Sequence, residues 1–166
     1  MTAVSTALLP ANDVLLTAAE TSELLTVYLD DQIFGLPILQ VQDVLNVMSM
    51  TRVPLAPPEI AGALNLRGRI VTAIQVRQRM GLPPAPETKK AMSIVVEFEE
   101  ELYSLIFDRV GEVMHLRATD YEPNPSTLDP KFRDVADGIY RLSDRLLVVV
   151  DIPKLLRGIG NLRDQG

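Results

Sequence analysis

From Leu25 the chain alternates apolar and polar positions. Leu25, Val27 and Leu29 fall on one face, Thr26 and Tyr28 on the other, the period-two pattern of a strand. Asp30-Asp31-Gln32 makes a polar turn, and Ile33-Phe34-Gly35-Leu36 returns as a second strand. It stops at Pro37, which has no ladder donor to offer. Leu39 to Val44 has apolar residues at mixed spacings and is expected to open as one helical turn. Pro54, Pro57 and Pro58 mark a loop. Ala61 to Val76 reads as a hairpin turning at Arg67-Gly68, with Arg77 to Met80 starting a short helix. Gly81 to Pro86 reads as a linker. Met1 to Ser22 lacks periodicity and is expected to be a flexible arm, with a marginal helix over Asp13 to Leu25.

The second half repeats this pattern. A gapless shift of about 69 positions lays Val27 to Phe34 over Val96 to Tyr103, and Val41-Gln42-Asp43-Val44 over Val110-Gly111-Glu112-Val113. Farther on, a shift of about 76 lays Gly62 over Gly138, Leu66 over Leu142, Ile70-Val71 over Leu146-Leu147, and Gln75-Val76 over Asp151-Ile152. Each copy reads strand, acidic turn, strand, V-x-[DE]-V, proline-containing loop, G-x(3)-L hairpin and short helix. Repeats of short strands predict a mainly β protein, built as two small barrels or sandwiches. The boundaries expected are an arm over 1–22, a domain over 23–157 with halves near 23–84 and 92–157, and a tail over 158–166. Leu146 to Val150 does not alternate, so that strand should be buried on both faces, where the halves pack together.

Composition narrows the class. An apolar fraction of 47% and a charged fraction of 23% suit a globular domain. With no cysteine, disulfides, thiolate metal sites and cysteine nucleophiles are excluded. No apolar run reaches the roughly 20 residues that span a bilayer, and no leader is evident, so a cytoplasmic location is expected. A net charge of −6 argues against nucleic acid as a partner. Between Thr51 and Met80, however, Arg52, Arg67, Arg69, Arg77 and Arg79 face one acid, Glu59. That segment is either a docking surface for an acidic partner or a set of solvated arginines.

Catalytic constellations are not found. His115 is the single histidine and falls on a strand, so a His pair for a metal is excluded. No phosphate-cradling glycine pattern occurs. The acids at Asp30-Asp31 and Glu97 to Glu101 sit at equivalent hairpin turns and are expected to be solvated. No catalytic residue, metal or cofactor is therefore assigned. Arg67 is different: the first hairpin reads Asn65-Leu66-Arg67-Gly68, the second Arg141-Leu142-Ser143-Asp144. The fold thus needs the leucine and the turn, but not the arginine. Held beside a glycine, Arg67 suits rigid recognition of a carboxylate, within the protein or across an interface, or it bridges its own loop.

Ile60 to Val71, containing Gly62, Asn65, Leu66, Arg67 and Gly68, resembles the G-x-x-N-L-R-G-x-[IV]-[IV] signature of the CheW family. Phe34 to Val44 and Phe107 to Val113 are similar to two further family segments, and the likeness runs from about Leu24 to Leu156. The resemblance implies two intertwined SH3-like five-stranded β-barrels with short helices, and strands exchanged between them. It implies a non-enzymatic adaptor that couples methyl-accepting chemoreceptors, through their cytoplasmic tips, to the regulatory domain of a CheA-type histidine kinase. The membrane would be met only indirectly, through the receptors. The partner-binding residues it points to are Gly62, Asn65, Arg67 and Gly68 in the signature, with Val41, Asp43, Val44 and Val113 in the paired V-x-[DE]-V segments. An SH3-like peptide-binding module in an unrelated pathway is the alternative. Where the family continues P-[IV]-[IVF]-D-L, this chain has Thr72 for the proline and Gln75 for the aspartate.

Overall fold

The computed structural model describes residues 21–86 and 90–159. Most of the expected arm and tail lie outside them. The first half contributes β1 (Thr21–Leu29), β2 (Gln32–Pro37), β3 (Val41–Asn46), β4 (Ile60–Leu66), β5 (Arg69–Gln75) and helix α1 (Val76–Arg79). The second contributes β6 (Met92–Phe98), β7 (Glu101–Phe107), β8 (Arg109–Arg117), β9 (Tyr121–Glu122), helix α2 (Pro130–Arg133), β10 (Ala136–Arg141), β11 (Leu146–Val150) and helix α3 (Ile152–Arg157). The helical turn expected near Leu39 is a 3-10 turn over Ile38–Gln40.

The described strands form a six-stranded sheet in the order β8-β1-β2-β11-β10-β9 and a five-stranded sheet in the order β3-β6-β7-β5-β4. These are one arrangement used twice. Val27 pairs with Phe34 across β1 and β2, and the repeat partners Val96 and Tyr103 pair across β6 and β7. Ile60 pairs with Ile74 across β4 and β5, and Ala136 with Val150 across β10 and β11, each ladder shifting just before Gly62 or Gly138. The lone Thr51–Ala63 bridge stands where β9 pairs with β10. Each sheet draws strands from both halves. β1 and β2 lie between β8 and β11, and β6 and β7 lie between β3 and β5, joined by the parallel pairs β2–β11 and β5–β7.

The mainly β, two-sheet architecture expected from the repeat is the one observed. Two details differ. The ladders are open, so the sheets pack as curled layers instead of closing into full barrels, and one sheet has six strands because β9 extends it. The helix expected over Asp13 to Leu25 is not formed at its described end. Thr21 to Leu25 belong to β1, where Thr21 and Ser22 pair with Arg117 and Leu116. Leu24 and Leu25 have low exposure there because they are covered from opposite faces of the sheet. Sheet pairing with residues some 90 positions away overrides local helical preference.

The core lies between the sheets. Val27, Phe34, Ile74, Ile94, Leu105, Val148 and Leu155 are buried in one cluster, and each such side chain contributes about 1.5–3 kcal/mol relative to exposure. A smaller cluster of Leu24, Ile33, Tyr140, Leu147 and Val149 covers the other face of the six-stranded sheet. β11 is accordingly buried on both faces, with Val148 and Val150 in the first cluster and Leu147 and Val149 in the second. Ile159, at the start of the expected tail, is also in the main core.

Candidate functional site

The β4–β5 hairpin turns through Arg67 and Gly68, both at positive φ, 52° and 85°. Two such residues in succession match the right-handed twist of paired strands, which is why tight hairpins use them. Asn65 Oδ1 accepts a hydrogen bond from the Gly68 amide at 3.0 Å and closes the turn. Glycine serves at position 68 because it tolerates this backbone freely; the arginine at 67 bears a strain of about 1–2 kcal/mol. Its guanidinium reaches across the sheet, where Arg67 Nη2 donates to Asp43 Oδ2 at 2.8 Å.

Asp43 lies on β3, at the opposite end of the sheet order from β4. The pair therefore links the two edge strands of the curled sheet where no ladder joins them. A bulge between Val41 and Asp43 in the β3–β6 ladder re-aims the chain at this point. The Asp43 side chain is one quarter exposed and that of Arg67 three quarters, so the cation remains available at the surface. In the other sheet the corresponding positions hold Glu112 and Ser143, which cannot form this pair.

The structure divides the other expected site residues. Val44 and Val113 stand at equivalent positions on the edge strands β3 and β8, 36% and 39% exposed. Met48 and Val47 extend the exposed apolar surface beyond β3. Val41 instead packs against the main core. Gly62 is buried, and a Cβ there would sit 2.8 Å from both the Met50 Cγ and the Thr51 carbonyl oxygen. Its role in the fold is to let the backbone at Thr51, bridged to Ala63, approach. His115 lies exposed on β8, 3.9 Å from Glu23 Oε2. Among the described residues no cluster of histidine and carboxylates could hold a metal ion, and no helix is long and apolar enough to cross a membrane.

A second polar constellation escaped the sequence reading. Arg77, on α1, has a side chain only 4% exposed. Its Nε donates to Asp108 Oδ1 at 2.8 Å and its Nη2 to Asp108 Oδ2 at 2.6 Å, a bidentate pair. Nη2 also donates to Asp30, and Nη1 to the Pro83 carbonyl at 2.8 Å. The Asp108 carboxylate further accepts from the Asp30 amide at 2.7 Å. The hydrogen bond to Asp108 outweighs burial and holds the guanidinium above its usual range. Asp30 is thus not the freely solvated turn acid expected. It and Asp108 close a buried junction among the β1–β2 turn, the β7–β8 connection, α1 and the linker. The bare signals were a lone arginine following a strand and the aspartate of the Phe107-Asp108-Arg109-Val110 segment.

The departure at Gln75 has a visible consequence. In the second half Asp151 caps α3, its Oδ1 accepting from the Lys154 amide at 3.0 Å. Gln75, its repeat partner, precedes α1 and makes no side-chain cap bond. Gln75→Asp is expected to restore the cap and stabilise the protein by about 0.5–1 kcal/mol, seen as a higher denaturation midpoint.

Two curled, interleaved sheets, with a polar pair and exposed valines on their edges, define an interaction scaffold. The CheW-like domain family model matches residues 23–160, and the chain belongs to that family. It is 31% identical over 141 residues to the chemotaxis protein CheW of Klebsiella aerogenes, covering 84% of this chain and 85% of that one. It is 28% identical over 127 residues to the CheW of Helicobacter pylori, covering 76% of each. The solved scaffolding protein TtCheW of Thermoanaerobacter tengcongensis superposes with a TM-score of 0.73 at 28% identity, over 81% of this chain and 92% of that one. The protein is a chemotaxis adaptor of this family, a scaffold and not an enzyme.

Proposed function

We propose that this adaptor couples the cytoplasmic tips of chemoreceptors to the regulatory domain of a CheA-type histidine kinase. It would work in the cytoplasm, at arrays it reaches only through the receptors. The observation that carries the reading is Arg67. A non-glycine residue is kept at positive φ on a turn tip, pinned to Asp43, and lacks a counterpart in the second half. Positive φ is shared with other turn residues such as Asp30, Glu99 and Glu100, so what sets Arg67 apart is its pair with Asp43. In this reading Asn65 and Gly68 shape the turn, while Asp43 and Arg67 fix a charged contact. Val44 and Val113 offer apolar contacts to a helical receptor tip. Val41 and Gly62 act indirectly, through the packing beneath. Family membership disfavours an unrelated SH3-like peptide module.

Val44→Glu tests the apolar half of the site. Val44 is partly exposed, so the variant should melt within a few degrees of wild type while binding a receptor cytoplasmic fragment at least about tenfold more weakly. Full receptor binding by a folded Val44→Glu protein would remove this surface from the receptor site. The half-buried Val41 is the poorer probe, since Val41→Glu would also disturb the core.

A further inference from the structure

The outer face of the six-stranded sheet carries a cleft of about 620 Å³. That volume lies within the roughly 300–1,000 Å³ range of ligand pockets. Leu24, Pro37, Val149 and the rings of Tyr121 and Tyr140 wall it, and Leu39 stands at its lip, 93% exposed. The two tyrosines pack edge to face with centroids 5.6 Å apart. The fold makes room for Tyr121, since a Cβ on Gly138 would collide with its ring and hydroxyl. That hydroxyl donates to the Asp137 carbonyl at 2.7 Å and to Asp137 Oδ2 at 3.1 Å. Asp137 is itself the bulge residue of β10, where the ladder shifts between Ala136 and Gly138, and bulges re-aim side chains. This cleft is separate from the Arg67–Asp43 pair, which lies on the other sheet.

We propose that the cleft binds a small organic ammonium ion, a cationic nitrogen carried on an alkyl or aryl body. Charge selects the sign of the ligand. Among the described residues the lining holds two carboxylates, Glu23 and Asp137, and no lysine, arginine or histidine. His115 approaches Glu23 from outside the lining, at 3.9 Å, beyond hydrogen-bond reach. The aromatic wall favours the same sign, because the face of a tyrosine ring attracts a cation within about 6 Å of its centroid. The apolar walls select a hydrophobic body, and the volume encloses a free molecule. The repeat shows that these features are not demands of the fold. The other sheet has Met92 in place of Glu23, Ala61 in place of Asp137 and Leu64 in place of Tyr140. Its counterpart of Leu39 is Asp108, which Arg77 holds. Two acids and a buried tyrosine thus belong to one sheet alone, as Arg67 belongs to one hairpin alone. The proposal does not rest on which partners the adaptor couples.

Three probes that share a phenyl body and differ in charge test this: phenethylammonium, phenylethanol and phenylpropionate. Each is titrated into the full-length protein while backbone amide NMR shifts are followed. Phenethylammonium should bind saturably with a Kd of about 1 mM or tighter, moving the amides of Glu23, Tyr121, Asp137 and Tyr140. Phenylethanol should bind at least about fivefold more weakly, and phenylpropionate more weakly still. In Glu23→Gln/Asp137→Asn, which keeps the shape of the cleft, the cation and the alcohol should bind alike. Glu23→Gln alone changes a half-exposed side chain that the fold does not depend on. It should weaken the cation at least about threefold and leave the alcohol unchanged. Equal affinities of the three probes for wild type would overturn the proposal. So would a charge preference that survives in the folded double variant or in Glu23→Gln, or shifts that do not saturate or centre elsewhere. A lysine-bearing peptide, acetyl-Leu-Lys-Leu-amide, that binds where phenethylammonium does not would also overturn it and make the cleft a protein-docking surface.

Discussion

Arg77→Ala should be the most destabilising single polar substitution in the protein. It removes the bidentate donor to Asp108, whose side chain is 9% exposed, and one donor each to Asp30 and the Pro83 carbonyl. Removing one member of a buried pair costs about 3–5 kcal/mol, because the remaining charge stays desolvated. For a chain of this size that lowers the melting temperature by roughly 10 °C. Arg77→Lys should fall between the two, since an ammonium keeps the charge but cannot reproduce the two-pronged contact. Thermal and urea denaturation of the three proteins would decide the matter. A loss below about 1 kcal/mol for Arg77→Ala would show that the junction contributes little.

Arg67→Ala should do the reverse, with a small effect on stability and a large one on coupling. The Arg67–Asp43 pair is exposed on the arginine side, and such pairs contribute about 0–1 kcal/mol. Alanine inherits the positive φ of 52°, so Arg67→Gly is the better control, since it relieves the strain and removes the same side chain. Both variants should melt within a few degrees of wild type. Losing an arginine anchor at an interface costs about 2 kcal/mol or more, roughly a thirtyfold loss of affinity or of kinase stimulation. If the pair matters as a pair, the exchange Arg67→Asp with Asp43→Arg should recover part of the loss that Arg67→Asp causes alone. A sharp drop in melting temperature with normal coupling would make Arg67 a structural residue.

The two repeat shifts found in the sequence are the registers of the fold. Val27–Phe34 and its repeat Val96–Tyr103 are cross-strand pairs in the two sheets, and the ladders shift at the matching positions before Gly62 and Gly138. Local alternation and turn chemistry sufficed for this because hairpins are short-range. The expectation that Leu146 to Val150 lies where the halves meet held for the same reason, since a strand with no polar face must be covered on both sides. What the pattern could not show was the end of β1, where Leu24 and Leu25 are fixed by β2 and β8 and not by their neighbours. Nor could it reveal Arg77. Its partners Asp108 and Asp30 are 31 and 47 positions away, and in sequence an acidic turn reads the same whether water or a guanidinium solvates it. At the candidate site the hairpin carrying Arg67 was legible, and so was the V-x-[DE]-V segment carrying Asp43. Their contact was not, because it spans the two edges of a sheet whose curl no local pattern encodes.

Reconstitution of the three-part assembly tests the adaptor reading most directly. Receptor cytoplasmic fragments, a CheA-type kinase and this protein are combined, and kinase autophosphorylation is measured with each component left out in turn. The account predicts that the protein binds the kinase regulatory domain and the receptor fragment separately. It also predicts that receptor-dependent stimulation of the kinase appears only when the protein is present, and collapses with folded Arg67→Ala. Folded wild-type protein that binds neither partner, or kinase stimulation that is the same without it, would contradict the account.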